Sequence, residues 1–74
     1  MRVVVKLHAT LRDGRFDVDE RDVPPRSTVA DVLAGLAIDS SQATLLFVDG
    51  RHAELDKELR DGDVLAVFPP IGGG

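Results

Sequence analysis

The feature that most constrains the fold is the position of the two most apolar strand-like segments, which lie near the two ends of the chain. Residues 2–11 read RVVVKLHATL, and residues 64–68 read VLAVF. The first alternates between an apolar and a mostly polar face, whereas the second is apolar on both faces, which is typical of a central strand. We therefore expect these two strands to lie side by side at the centre of a sheet and to run parallel.

A polar second strand is predicted to follow the first through a tight hairpin. Asp13-Gly14 is a dipeptide that favours such a turn, and residues 16–23 read FDVDERDV. Charged side chains discourage unwanted strand pairing, so this strand is expected at an edge of the sheet.

One helix is predicted after Pro24-Pro25, which end the second strand. Thr28 and Asp31 have the spacing of a capping box, in which each side chain accepts from the backbone amide of the other residue. An apolar stripe then follows at helical spacing and ends near Ala37, formed by Val29, Val32, Leu33 and Leu36. Gly35 interrupts the helix, and its small size would suit close packing on the sheet.

The second half of the chain predicts a strand at 44–48, a short strand or irregular turn within 51–60, and a turn at 61–63 before the last strand. Leu55 and Leu59 are expected to be buried. The order strand, strand, helix, strand, short strand, strand predicts an α+β fold of the β-grasp (ubiquitin-like) type. It would have a mixed sheet of four to five strands and one main helix.

Composition excludes several classes of function. The chain has 74 residues and no cysteine, so it holds one domain at most, and thiolate metal sites, disulfides and cysteine nucleophiles are ruled out. A net charge of −4 disfavours nucleic acid and anionic membranes as partners. His8 and His52 have no further ligand at metal spacing, so we expect solvated histidines and no metal site. We expect a cytoplasmic protein.

The C-terminal residues 69–74 read PPIGGG and are predicted to form an extended tail beyond a domain at 1–68. Pro69 and Pro70 cannot donate backbone hydrogen bonds and would direct the chain away from the sheet. Gly72 and Gly73 have no side chains, so this part of the tail fits a slot too narrow for other residues. The Gly74 carboxylate is unhindered and is a reasonable substrate for activation as an acyl-adenylate. The alternative is a frayed terminus or a fusion scar.

Four segments of the sequence resemble the ubiquitin-like sulfur carriers, which include the small subunit of molybdopterin synthase and the thiamine-pathway sulfur carrier. They are VVVKLHATLRDG, STVADVLAGL, FVDG and LRDGDVLAVFPPIGGG, and together they cover nearly the whole chain. The last of them is the most specific, because it joins an Asp-Gly-Asp turn, an apolar strand, Pro69-Pro70 and the terminal glycines. Family tails usually end in two glycines, whereas this chain has three, so either Gly74 is itself the residue that is activated or it is an extra residue that is trimmed to leave Gly73 terminal.

The resemblance implies a co-substrate and not an enzyme. An adenylating (ubiquitin-activating-like) enzyme would use ATP to activate Gly74, a sulfur donor would convert it to a thiocarboxylate, and an acceptor synthase subunit would receive the sulfur. No cofactor would bind this chain. Ile71, Pro69 and Pro70 would form the neck of the tail that enters the partner.

Strand alternation places Phe68 and Ala66 on one face of the last strand, and Phe47 or Leu46 is expected nearby. Exposed apolar patches usually mark interfaces, so this face is a candidate for docking a partner. Two other functions remain open. One is a ubiquitin-like modifier that joins its terminal glycine to lysine, and the other is a non-covalent interaction module.

Overall fold

A computed structural model describes residues 1–70. These residues form five strands and one α-helix: β1 (Arg2–Leu7), β2 (Val18–Asp22), α1 (Val29–Gly35), β3 (Leu45–Val48), β4 (Arg51–His52) and β5 (Val64–Phe68). Two short 3-10 turns span Ala9–Arg12 and Ser40–Gln42. The strands form one mixed sheet in the order β2-β1-β5-β3-β4.

The last strand lies at the centre of this sheet, as the sequence predicts. β5 runs parallel to β1, with Val4 opposite Val64, and antiparallel to β3, with Leu46 opposite Val67. β2 pairs with β1 and occupies an edge, where its charged sequence was expected. The α+β β-grasp fold, with a mixed sheet and one main helix, is thus confirmed.

The helix covers one face of the sheet and forms a single core with it. Side chains from the sheet, the helix and the loops contribute to this cluster: Val3, Val5, Leu7, Leu11, Val29, Val32, Leu33, Ile38, Leu46, Val48, Leu59, Leu65 and Val67. Leu65 and Val67 are fully buried within it. The core therefore collects the alternate residues of β5 that face the helix.

The predicted turn at Asp13-Gly14 is present, since Gly14 has a left-handed φ of 70° and the Arg15 amide donates to the Arg12 carbonyl (2.9 Å), but it is not a tight hairpin that joins β1 directly to β2. β1 ends at Leu7, and the chain turns through the 3-10 segment Ala9–Arg12 before it reaches β2. The partner strand explains this ending, because the amide of His8 donates to the Val67 carbonyl (3.1 Å) and the chain of β5 soon reaches Pro69, which has no amide to donate. The 3-10 segment instead buries Leu11, which is only 2% exposed.

The capping box that starts the helix is confirmed. The Asp31 amide donates to Thr28 Oγ1 (3.2 Å), and the Thr28 amide donates to Asp31 Oδ2 (2.9 Å). The helix ends slightly before the predicted position, because Ala37 adopts a left-handed φ of 57°. Gly35 does not provide close packing, since it is exposed and a Cβ built there meets no atom within 4 Å.

The segment 51–60 begins with the two-residue strand β4 and continues as a loop packed on the start of the helix. Leu59 is 3% exposed, as expected, but Leu55 is 37% exposed. The backbone of the loop makes the contact instead, because the Leu55 carbonyl accepts from the amide of Ala30 (2.9 Å). Hydrogen bonding to the helix therefore fixes this loop while the leucine side chain remains outside.

Candidate docking face and tail root

The end of β5 is held from both sides up to the residue before the prolines. The Val67 carbonyl accepts from the His8 amide at 3.1 Å, and the Phe68 carbonyl accepts from the Thr44 amide at 3.0 Å. Pro69 is half-buried and Pro70 is exposed. The tail therefore starts at a fixed point in the middle of the sheet. The predicted roles of Ile71, Gly72, Gly73 and Gly74 fall outside the described residues.

The face of the sheet opposite the helix is apolar near this point. Val64, Ala66 and Phe68 alternate with the buried residues of β5 and are each half-buried. The register of β3 places Phe47 beside Ala66 and Leu45 beside Phe68. Phe68, Ala66 and Phe47, which the sequence singled out, thus lie together on one open face.

Four rings cross this face in a row that we call the aromatic row: His52, Phe47, Phe68 and His8. The His8 ring stacks on Phe68 with centroids 4.0 Å apart and planes 8° from parallel. Phe47 makes edge-to-face contacts with Phe68 (5.8 Å) and with His52 (5.9 Å). Such arrangements match the preferred geometries of aromatic pairs, so the row is a preformed surface.

Away from the aromatic row, the open face carries charged side chains on β1 and on the edge strand β2. Arg2 forms an ion pair with Glu20 there at 3.0 Å. Lys6 is exposed on the same face, opposite Ala66 of β5. The open face therefore has an aromatic half around β5 and β3 and a polar half around β1 and β2.

Sequence reasoning did not anticipate the role of His8. Alternation placed it on the solvent face, but nothing in the sequence indicated that its ring would lie against Phe68. The two residues come from opposite ends of the chain, and the parallel pairing of β1 with β5 brings them together. Once this pairing was predicted, the register alone could have suggested the contact.

Within residues 1–70, no group of three or more histidine, cysteine, aspartate or glutamate side chains has the arrangement of a metal site. No helix in this part of the chain has the length and apolar character needed to cross a membrane.

A five-stranded β-grasp sheet with one helix, an open apolar face and a central strand that ends at Pro69-Pro70 defines a ubiquitin-like protein. The sequence comparison agrees with this class. The model of the ThiS family matches residues 5–74, and the chain belongs to that family. No curated protein sequence matches the chain.

Solved structures of related proteins show the same fold. SAMP1 from Haloferax volcanii is 29% identical with a TM-score of 0.79, and the match covers 100% of both chains. A putative molybdopterin converting factor subunit 1 from Pyrococcus furiosus is 28% identical with a TM-score of 0.78, covering 96% of this chain and 99% of that one. A chain in the complex of subunits 1 and 2 of the molybdopterin-converting factor from Helicobacter pylori is 19% identical, with a TM-score of 0.69 over 100% of both chains. At this level of identity, the match shows only that the fold is the same.

Proposed function

We propose that this protein is a sulfur carrier whose C-terminal glycine is converted to a thiocarboxylate by partner enzymes and then donates sulfur in cofactor biosynthesis of the molybdopterin or thiamine type. One observation carries the proposal: the aromatic half of the open face adjoins the fixed point at which β5 gives way to Pro69. A partner that docks on this face would receive the tail from a defined position. The family match, which extends through residue 74, supports the same interpretation.

The proposed chemistry takes place at the carboxylate of Gly74. A carboxylate oxygen attacks the α-phosphorus of ATP, which is bound by the adenylating partner, and pyrophosphate leaves. A donor at the oxidation level of sulfide then attacks the acyl carbon, the bond to the AMP oxygen breaks, and AMP leaves. The product is a thiocarboxylate. Its sulfur would add to an electrophilic carbon of the acceptor, water would then attack the acyl carbon, and the bond between that carbon and the sulfur would break, so that the sulfur stays on the acceptor and the Gly74 carboxylate is regenerated.

The residues of this chain would contribute position and access and not catalysis. Phe68, Ala66 and Phe47 would dock against the partner, while Pro69, Pro70 and Ile71 would direct Gly72, Gly73 and Gly74 into its active site. The acceptor would be a synthase subunit, in line with the name of the Pyrococcus furiosus relative. We place these steps in the cytoplasm, where a chain without cysteine needs no oxidising environment.

The test is the intact mass of the full chain after incubation with ATP, a sulfur donor and the adenylating enzyme of the source organism. We expect a gain equal to the replacement of one oxygen by sulfur, located by fragmentation on Gly74. The matched control lacks Gly73 and Gly74 but retains the entire described domain, so it is expected to fold and to gain no mass.

Two other outcomes have distinct meanings. A gain that appears only after removal of Gly74 would indicate that the third glycine is trimmed before activation. Absence of a gain in the full chain and in the Gly74-deleted chain would overturn the proposal and favour a non-covalent interaction module.

Conjugation to lysine is the second candidate function, and the similarity to SAMP1 favours it. A second Haloferax volcanii structure with 28% identity carries the name small archaeal modifier protein 1. A modifier would use the same activated glycine but transfer its acyl group to a lysine amine. Tagged protein incubated with ATP in a cell extract would then give larger species, and peptide mass spectra would show the C-terminal residues attached to lysine.

A further inference from the structure

A second surface with binding character lies away from the tail, at the end of the sheet where β5 begins. The β3–β4 turn and the loop 57–63 border an open surface pocket of about 570 Å³. We call it the cationic pocket, and its polar lining consists of Asp49, Arg51, His52, Lys57, Arg60 and Asp63. It concentrates three cations in a protein whose net charge is −4.

The three cations of the cationic pocket have no carboxylate or carbonyl partner within residues 1–70, and Lys6 on the open face shares this state, whereas the other five cations of the chain are engaged. Four arginines form ion pairs with carboxylate side chains: Arg2, Arg12, Arg21 and Arg26. Arg15 instead donates to backbone carbonyls. Within residues 1–70, Arg51, Lys57 and Arg60 make no ion pair and no side-chain hydrogen bond. Their donors are therefore available to a ligand from outside the domain, and the pocket brings three of them together.

The two aspartates of the pocket are already engaged by the backbone. Asp49 Oδ1 accepts from the Val64 amide at 2.8 Å, and Asp63 Oδ2 accepts from the Arg60 amide at 2.8 Å. These contacts hold the turns in place. The aspartates thus shape the pocket without forming ion pairs with its cations.

The backbone around the pocket argues against a phosphate ligand. Phosphate sites commonly use free backbone amides at turns or helix N-termini. Here the amides of Asp49, Ala53, Lys57, Gly62 and Asp63 all donate to carbonyls of the domain. Recognition is therefore left to side chains, and the forked donors of arginine match the two oxygens of a carboxylate.

We propose that the cationic pocket binds the carboxylates of an acidic segment of a protein partner. The site lies at the opposite end of β5 from the tail and meets the aromatic row at His52, so it would give a partner a second point of attachment on an adjoining surface. It does not depend on any reaction at Gly74. Binding of this kind fixes orientation and increases the rate of association, and it weakens as salt screens the charges.

The test is an amide-resolved NMR titration of the full chain at low salt with a short peptide that alternates glutamate and alanine. We expect saturable shifts at amides of residues 48–63 and none at the tail root around Thr44 and Phe68. Arg51→Gln and Arg60→Gln should each raise the Kd of the peptide by roughly threefold to tenfold, since each removes a charge-assisted pair at a partly exposed site.

Arg12→Gln is the matched control, because it removes the same charge from a residue that lies outside the pocket and pairs with Asp17. It should leave the Kd unchanged within about twofold. An equal loss in Arg12→Gln and Arg60→Gln would overturn the proposal by showing that only net charge matters. The absence of saturable shifts would also overturn it, and so would saturation of the same amides by inorganic phosphate at lower concentration than by the peptide.

Discussion

The two faces of the sheet are built from alternate residues of the same strands, yet they differ in what covers them. On the helix side, Leu65 and Val67 of β5 are fully buried in the core. On the other side, Ala66 and Phe68 are equally apolar but remain half-buried, with the aromatic row beside them. Burial in the core explains why Leu65 and Val67 are apolar. The apolar character of Ala66 and Phe68 needs another explanation, and docking of a partner would supply one.

The comparison also separates what each face should contribute when it is altered. A change on the helix side removes packing that the domain cannot replace, because interiors are close-packed. A change on the aromatic side removes surface that only a partner would cover. Stability and partner affinity should therefore respond to different residues of the same strand.

The largest expected effect is on the buried side. Leu65→Ala should lower the free energy of unfolding by about 2–5 kcal/mol, because it removes a fully buried side chain and leaves a cavity. The chain has no tryptophan or tyrosine, so urea unfolding is best followed by far-UV circular dichroism. A loss below about 1 kcal/mol would show that the core tolerates the cavity and would remove the contrast between the faces.

Ala66, the neighbour of Leu65 on the open face, should show the opposite pattern, with a small loss of stability and a large loss of partner affinity. Ala66→Asp should lower stability by about 1 kcal/mol or less but weaken binding to the adenylating partner at least about tenfold, because a charge would enter the docking surface. Calorimetric titration measures the affinity. Val18→Asp introduces the same charge on exposed β2 (57% exposed) and is the control. If both variants bound equally well, the aromatic half would not be the docking face.

A smaller effect concerns the contact between His8 and Phe68. The stacked rings should couple by about 0.5–1.5 kcal/mol in a double-mutant cycle of His8→Ala and Phe68→Leu, read from urea unfolding. Additive losses would mean that the stack contributes no stability of its own. The stacked rings would then contribute to the surface that a partner contacts and not to the stability of the domain.

The smallest effect tests the outer surface of the helix. Gly35→Ala should raise stability by about 0.5–1 kcal/mol, because the position is helical and a Cβ meets no atom within 4 Å. Gly62→Ala is the matched control and should lower stability, since Gly62 has a φ of 88°. Partner affinity should remain unchanged in Gly35→Ala. A loss of affinity there would place the helix, and not the open face, at the interface.

The sequence was sufficient for the features that rest on local patterns. Thr28 and Asp31 predicted the helix start, and the apolar character of residues 64–68 predicted a central strand parallel to β1. The sequence was not sufficient for the connection between β1 and β2, where Asp13-Gly14 suggested that the two strands would join in a tight hairpin. β1 ends earlier because Pro69, in the segment that follows its partner strand β5, has no amide to continue the ladder. A local sequence pattern contains no information about such a partner.

The same reasoning explains the result for the candidate site. Strand periodicity alone was enough to place Phe68 and Ala66 on one face, whereas the choice of Phe47 over Leu46 needed the register between β3 and β5. The contact of His8 with Phe68 and the cationic pocket could not be predicted, because each joins residues that are distant in sequence through strand pairing or loop packing. The prediction that Leu55 would be buried was wrong for a related reason, because the loop contacts the helix through the Leu55 carbonyl and not through its side chain.

The parallel pairing of β1 with β5 has a kinetic consequence. Val4 lies opposite Val64, so this ladder closes across almost the entire described chain, and contacts between such distant residues slow folding because the chain must lose much entropy before they form. A central strand also opens last, so its amides should exchange with deuterium only when the whole domain unfolds. The strand that leads into the tail would therefore be released at the rate of global unfolding and not by local fraying.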